Sequence, residues 1–121
     1  MSKQKIMVVD DETDICNLFR DALQVAGYNV KAFTNPVDAL EDFKLHHEEY
    51  GVIISDLRMP EMSGIELIKR INQINKNVKV FLMTAFEIKN EELQEARMDE
   101  FLNKPIYIQR LVDMVKRYIP I

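Results

Sequence analysis

Five polar residues follow short apolar runs of the chain: Asp10, Asp11, Asp56, Thr84 and Lys104. In a parallel sheet the carboxyl ends of the strands meet at one edge, where ligands bind. Three carboxylates, a hydroxyl and an ammonium gathered at that edge could hold a divalent cation, supply a nucleophile and neutralise a phosphate. This combination predicts phosphoryl transfer.

The acidic pair Asp10 and Asp11 directly follows the apolar run 6–9. Two neighbouring carboxylates in a crevice repel each other unless a cation lies between them or one takes up a proton. Mg²⁺ suits such a pair because it is small, prefers oxygen ligands and binds through one or two carboxylates together with water and phosphate. The competing interpretation is a solvated acidic loop at the start of the first helix, where acidic residues are favourable. Taken alone, the pair favours that second interpretation.

Asp56 favours a chemical site, because it ends a predicted strand whose apolar residues are Val52, Ile53 and Ile54. A carboxylate in this position can take up a phosphoryl group as an acyl phosphate. Lys104 would supply fixed positive charge for the phosphoryl oxygens, and the hydroxyl of Thr84 could bind one of them. Pro105 restricts the backbone of Lys104 to an extended conformation.

The segments that must position these residues alternate between short apolar runs and stretches of helical period, which is typical of a parallel sheet covered by helices. Because the runs are largely apolar, they suit strands buried on both faces. Asn35 with Pro36 and Ser63 with Glu66 are caps that start helices, and Gly27 is placed to end the first one. The predicted strands are residues 6–9, 30–33, 52–55, 78–83 and 100–103.

Two of the predicted helices have unusual faces. The segment 91–97 offers only Leu93 and Ala96 for burial, so it is the least firmly anchored element and a candidate for movement. The last helix carries, beside its core stripe, a second set of large side chains that fits a protein interface, unless this helix simply has a broad buried face. That second set is Tyr107, Leu111, Met114 and Tyr118.

Composition limits the class of protein. The chain has 121 residues, enough for one domain, which we expect to span residues 1–121. A net charge of −4 with scattered Lys and Arg argues against a nucleic-acid surface and favours a protein partner. No apolar run approaches the roughly 18 residues of a membrane span and residues 1–5 lack the apolar stretch of a signal peptide, so we expect no membrane association and a cytoplasmic location. Cys16 is the only cysteine, which excludes an internal disulfide and a cysteine-based zinc cluster.

Four motifs resemble the receiver domain of two-component response regulators, including stand-alone chemotaxis-type and sporulation-type receivers, and the likeness spans the whole chain. The resemblance implies an α/β, flavodoxin-like fold, with a doubly wound five-stranded parallel sheet in the order 2-1-3-4-5 and helices on both faces. The motifs are Val8-Val9-Asp10-Asp11-Glu12, Asp56-Leu57-Arg58-Met59-Pro60 with Met62 and Gly64, Met83-Thr84-Ala85, and Phe101-Leu102-Asn103-Lys104-Pro105.

The resemblance also implies a function. Asp56 would accept a phosphoryl group from a sensor histidine kinase or a histidine phosphotransfer protein. Mg²⁺ would be bound by Asp11, Asp56 and the backbone carbonyl of Arg58, and Asp10 would assist through water. The domain would catalyse its own dephosphorylation without being a dedicated enzyme.

In the family that the chain resembles, phosphorylation acts through a switch. The phosphoryl group would draw the Thr84 hydroxyl inward and Phe101 would turn into the vacated space, although Phe101 could equally be an ordinary core residue. The change would alter the face formed by the segment 91–97, the fifth strand and the last helix. That face would bind a downstream protein target, an output domain or, in a phosphorylation-dependent homodimer, a second copy of the chain. Arg97 and Met98 stand where many receivers have Gly and Ala, so we expect this turn to be built differently.

Other classes fit the sequence less well. A phosphatase of the haloacid dehalogenase type would need a second aspartate where Arg58 stands, and the acidic loop 10–12 would repel the flavin phosphate of a flavodoxin. The three glycines do not form the phosphate-binding loop of a GTPase. The remaining alternative is a non-phosphorylated pseudo-receiver that acts as a protein-binding module. Such a domain normally lacks one of the site residues, and this chain lacks none.

Overall fold

Five parallel strands form one sheet in the order β2-β1-β3-β4-β5, in a computed structural model that describes residues 4–85, 91, 94 and 96–121. The predicted sheet order is confirmed, and each strand lies within two residues of its predicted bounds. The strands are β1 (Lys5–Val9), β2 (Asn29–Phe33), β3 (Tyr50–Asp56), β4 (Lys79–Thr84) and β5 (Glu100–Asn103). The helices are α1 (Thr13–Val25), α2 (Pro36–His46), α3 (Gly64–Ile74) and α4 (Ile108–Tyr118), with a short 3₁₀ helix at His47–Glu49.

Both faces of the sheet are buried, as the apolar strands predict. In β1, Ile6 and Val8 point to the cluster that includes residues of α1 and α4. Met7 and Val9 point to the opposite cluster, which includes residues of α2 and α3. All four side chains are 0% exposed, and successive residues of a strand point to opposite faces. The sheet is therefore the middle layer of three.

Local cap chemistry sets the helix ends. The Asn35 side chain accepts hydrogen bonds from the backbone amides of Val37 (2.8 Å) and Asp38 (3.3 Å) and starts α2. The hydroxyl of Ser63 accepts from the Glu66 amide at 3.2 Å and starts α3. Gly27 follows α1 with φ of 107°, a left-handed conformation that glycine adopts without strain. None of the helices in the described part of the chain is long and apolar enough to span a membrane.

The predicted helix over 91–97 lies largely outside the described residues. Ala96 and Arg97 are described and are not helical, so the prediction of a helix that reaches Arg97 is wrong. Arg97 instead belongs to the connection that enters β5, where its side chain donates to backbone carbonyls of Lys76 and Val78, in the segment just before β4.

The second set of side chains on the last helix is mostly buried. Leu111 and Met114 are 0% and 4% exposed, whereas Tyr107 is 75% exposed. The alternative of a broad buried face is therefore right for Leu111 and Met114, whereas Tyr118 is partly exposed and Tyr107 is exposed. The physical reason is that α4 covers a broad area: the ring of its Tyr118 lies 5.1 Å from that of Phe81 on β4, while other residues of α4 pack with α1.

Candidate functional site

The carboxyl ends of four strands bring the predicted chemical residues to one edge of the sheet. Asp10 follows β1, Asp56 and Thr84 end β3 and β4, and Lys104 follows β5. Backbone hydrogen bonds hold these ends in register, including Lys104 N to Thr84 O at 2.8 Å and Asp10 N to Phe33 O at 3.1 Å. Because β3 is the central strand, Asp56 lies in the middle of the group.

Three carboxylates form a compact acidic cluster. Asp10, Asp11 and Asp56 each offer an oxygen, and these oxygens lie within 4.8 Å of one another. Asp10 is 0% and Asp56 is 7% exposed, whereas Asp11 faces solvent. The cluster is thus open on the Asp11 side and closed on the other.

Lys104 balances part of this negative charge. Its ammonium lies 3.2 Å from Asp10 Oδ2 and 3.3 Å from Asp56 Oδ1, and 3.8 Å from Glu12 Oε1. Burial favours a lower pKa for Lys104, but the carboxylates of Asp10 and Asp56 outweigh it and hold its pKa above the ordinary value. Lys104 therefore stays charged, with two carboxylates at hydrogen-bonding distance.

The carboxyl group of Asp56 is destabilised in its ionised form. Burial is the main cause that raises its pKa, and the charge of Asp10 adds to it. Lys104 and the Leu57 amide, which donates to Asp56 Oδ1 at 3.0 Å, act in the opposite direction without cancelling the rise. A cation placed beside the cluster would relieve this repulsion. The oxygen-only donors and the surplus of negative charge fit Mg²⁺.

The loop between β3 and α3 holds the backbone of Asp56 closely. An added Cβ on Gly64 would lie 2.1 Å from the Asp56 carbonyl oxygen, so only glycine fits there without a backbone shift. The Gly64 amide donates to Leu57 O at 2.7 Å, which closes the loop. Arg58, whose carbonyl is a predicted metal ligand, belongs to this loop and its side chain is exposed.

Ser55 is a supporting residue that the sequence reasoning missed. Its side chain is 0% exposed, and its hydroxyl donates to the Asp56 carbonyl at 2.9 Å. A serine inside an otherwise apolar strand was the signal that could have identified it, because a buried hydroxyl needs a partner.

Thr84 and Phe101, the two predicted switch residues, lie on the neighbouring strands β4 and β5. Thr84 is 1% exposed and Phe101 is 38% exposed. The interpretation of Phe101 as an ordinary core residue is therefore wrong, since β5 is an edge strand and its side chain lies partly in solvent. Phe101 pairs with Leu82 across the ladder, and Thr84 pairs with Asn103.

Comparison with known proteins gives consistent results. A family model described as the response regulator receiver domain matches residues 6–116. The response regulator receiver protein CpdR of Brucella abortus is 30% identical over 118 residues, which cover 96% of this chain and 97% of CpdR. A response regulator receiver domain protein from Clostridium thermocellum superposes with a TM-score of 0.86 at 26% identity, covering 96% of this chain and 94% of that one. Response regulator TrrA from Thermotoga maritima, solved in complex with Mg(2+)-BeF, gives 0.83 at 32% identity, with 96% and 99% covered.

Proposed function

The chain belongs to the response regulator receiver domain family, and we propose that its Asp56 accepts a phosphoryl group from a sensor histidine kinase or a histidine phosphotransfer protein. The observation that carries this proposal is the position of Asp56. Its carboxylate lies 3.3 Å from the Lys104 ammonium and within 4.8 Å of oxygens from Asp10 and Asp11. A nucleophile, a fixed cation and additional oxygen ligands therefore share one small volume.

Mg²⁺ is the proposed cofactor. Asp11, Asp56 and the backbone carbonyl of Arg58 would bind it directly, and Asp10 would act through water. Bound there, the ion would offset negative charge on the phosphoryl oxygens. The similarity to TrrA, whose structure is a complex with Mg(2+)-BeF, supports this assignment.

The chain's own residues would divide the work of transfer between them. A carboxylate oxygen of Asp56 attacks the phosphorus, an O–P bond forms, and the P–N bond to the donor histidine breaks with its electron pair returning to nitrogen. Lys104 then pairs with a phosphoryl oxygen, which is a short move because its ammonium already lies at hydrogen-bonding distance from Asp56. In the later dephosphorylation, a water oxygen attacks the phosphorus and the O–P bond to Asp56 breaks, which releases inorganic phosphate and restores the carboxylate. The domain would thus limit its own signal without being a dedicated enzyme.

The signal would pass through Thr84 and Phe101. Thr84 ends the strand beside Asp56, and the Leu57 amide next to the acceptor donates to Met83 O at 2.8 Å. Movement of the Thr84 hydroxyl towards a phosphoryl oxygen would open space beside β4 for the partly exposed ring of Phe101. A groove of about 600 Å³ runs along this edge and is lined in part by Met98, Glu100 and Phe101. A downstream protein target, an output domain or a second copy of the chain would bind this face.

Intact mass spectrometry after incubation with acetyl phosphate tests the proposal. We expect one added phosphoryl group in the wild type with Mg²⁺, none after chelation, and none in Asp56→Asn. Asp14→Asn is the matched control, because Asp14 is an exposed acidic residue in the first turn of α1 and its variant should be modified normally. A protein that binds Mg²⁺ but takes up no phosphoryl group would instead be the pseudo-receiver.

A further inference from the structure

Arg97 stands where the sequence departs from the receiver pattern, and its side chain makes bonds that the phosphoryl chemistry does not require. Its Nη2 donates to the carbonyl oxygens of Lys76 at 2.7 Å and Val78 at 2.9 Å. Its Nη1 donates to Asp99 Oδ1 at 3.0 Å. One guanidinium thus joins the segment that enters β4 to the segment that enters β5.

Asp99 continues this connection. Its Oδ2 accepts from the Val80 amide at 2.8 Å, and its own amide donates to Val80 O at 2.8 Å. Backbone and side chain of Asp99 therefore both bind the same residue of β4. This double attachment fixes the register in which β5 begins.

Asn72 attaches the same point to α3. Its Nδ2 donates to the Arg97 carbonyl at 3.2 Å, while its Oδ1 is buried and has no hydrogen-bond partner in the part of the chain that the structure describes. A buried carbonyl oxygen without a donor carries a free-energy cost. We call Asn72, Arg97, Asp99 and the carbonyls of Lys76 and Val78 the Arg97 clamp.

The clamp matters because β5 is the shortest of the five strands and lies at an edge of the sheet. It has four residues and a single neighbour, β4. Phe101 lies on this strand and Lys104 directly follows it, so the register of β5 sets where both side chains stand relative to Asp56. Since 44% of the Arg97 side chain is exposed, its ion pair with Asp99 contributes little, and its two bonds to backbone carbonyls are the specific part of the clamp.

We propose that the Arg97 clamp is a positioning device that keeps the base of β5 stationary, so that Phe101 turns over a fixed strand when Asp56 is phosphorylated. The proposal rests on the proposed function for its trigger. It assigns Arg97 and Asn72 no contact with the phosphoryl group. Their effect reaches the site only through the position of β5.

Hydrogen exchange with peptide resolution tests the clamp in Arg97→Gly, the residue type that many receivers have there. Without any ligand, we expect peptides from 97–103 to exchange about tenfold faster than in the wild type, because that factor corresponds to the loss of about 1.4 kcal/mol, and the substitution removes several hydrogen bonds at once. Tyr28→Phe is the matched control, since Tyr28 also donates one hydrogen bond to a backbone carbonyl, that of Ile119 at 2.6 Å. It should leave residues 97–103 unchanged.

The second measurement is the effect of beryllofluoride with Mg²⁺ on hydrogen exchange. A merely structural role of Arg97 would leave this effect the same in the variant as in the wild type. In the wild type, hydrogen exchange at 98–100 should be the same with and without beryllofluoride. In Arg97→Gly, exchange at 98–100 should change when beryllofluoride is added. Arg97→Lys, which keeps the positive charge but has a single donor nitrogen in place of the guanidinium, should fall between the two. Equal exchange at 97–103 in Arg97→Gly and Tyr28→Phe without ligand would overturn the clamp. If beryllofluoride altered exchange nowhere in the wild type, the proposed function would fail, and the comparison without ligand would still decide whether the clamp exists.

Discussion

The ammonium of Lys104 lies 3.3 Å from Oδ1 of Asp56, although Asp56 ends β3 and Lys104 follows β5, and these two strands are not neighbours. β4 runs between β3 and β5, so this ion pair passes over the end of β4, where Thr84 lies. A change of charge at Asp56 must therefore alter the forces on Lys104 and on the ends of three adjacent strands. This relationship connects the proposed chemistry to the proposed switch.

Lys104→Ala should lower stability most at neutral pH. Without the ammonium, the carboxylates of Asp10 and Asp56 face each other uncompensated, and the pKa of Asp56, already raised by burial, should rise further. A carboxyl whose folded pKa is raised stabilises the fold below its unfolded pKa and loses that contribution as pH rises through the folded value. We expect a loss on the order of 2 kcal/mol at pH 7 and a smaller loss near pH 4, measured by urea unfolding.

Lys44→Ala is the control for this comparison. Lys44 pairs with Glu41 at 3.1 Å on the surface, where both side chains are more than half exposed. Such pairs contribute between about 0 and 1 kcal/mol. A loss in Lys104→Ala that is no larger than in Lys44→Ala, or that does not depend on pH, would contradict the assigned role of the Lys104 ammonium.

If Mg²⁺ binds the folded acidic cluster as proposed, it should raise the thermal midpoint of the wild type, because it relieves the repulsion between the carboxylates. A free Mg²⁺ concentration of about 100 times the dissociation constant would add roughly 2.7 kcal/mol to the free energy of unfolding. Asp11→Ala should abolish most of that gain and block phosphorylation, while Asp14→Ala should keep both. Differential scanning calorimetry across a Mg²⁺ series measures the gain, and a normal Mg²⁺ response in Asp11→Ala would place the metal elsewhere.

Tyr118 should make stability depend on pH in the alkaline range. Its hydroxyl donates to Glu100 Oε2 at 2.6 Å, and this bond is the main cause that raises the pKa of Tyr118 to about 12. A raised tyrosine pKa stabilises the fold below the unfolded value near 10, and the contribution disappears as pH rises towards 12.

The matching measurement is urea unfolding of Tyr118→Phe between pH 8 and about 12. The variant should be about 1 kcal/mol less stable than the wild type at pH 8, and this difference in stability should become smaller as the pH approaches the top of the range. Tyr107→Phe serves as the control because Tyr107 is 75% exposed. A constant difference over the whole range would show that the hydrogen bond to Glu100 does not set this dependence.

Beryllofluoride with Mg²⁺ should change hydrogen exchange most across residues 101–107 and 85–97, several of which lie outside the described residues. The physical reason is that Phe101 and Lys104 belong to the first range, and the second follows Thr84 directly. Changes confined to residues 17–27 would instead identify α1 as the signalling surface, and the face along β5 would lose its proposed role.

Much of the fold was predictable because its determinants are local. Runs such as 52–54 are apolar on both faces, and caps such as Asn35 and Ser63 are visible as single residues before helices. The convergence of Asp10, Asp56 and Lys104 followed from one geometric fact about parallel sheets, that the carboxyl ends of their strands lie at one edge.

The features that were missed depend on distant neighbours. Met114 has the same spacing whether it is exposed or covered, and only the position of α4 over the sheet decides that it is buried. Phe101 is apolar, yet it lies on an edge strand and stays partly exposed. The partners of Arg97 are backbone carbonyls of Lys76 and Val78, which carry no side-chain signature in a sequence.

The central claim, that Asp56 is the phosphoryl acceptor, is tested most directly by trapping the acyl phosphate. Borohydride reduces an aspartyl phosphate to homoserine, which marks the modified residue permanently. After treatment of the wild type with acetyl phosphate and Mg²⁺, tandem mass spectrometry should find homoserine at position 56, and Asp56→Asn should yield none. Homoserine at position 10 or 11, or a phosphate retained on Ser63 or Thr84, would contradict the account.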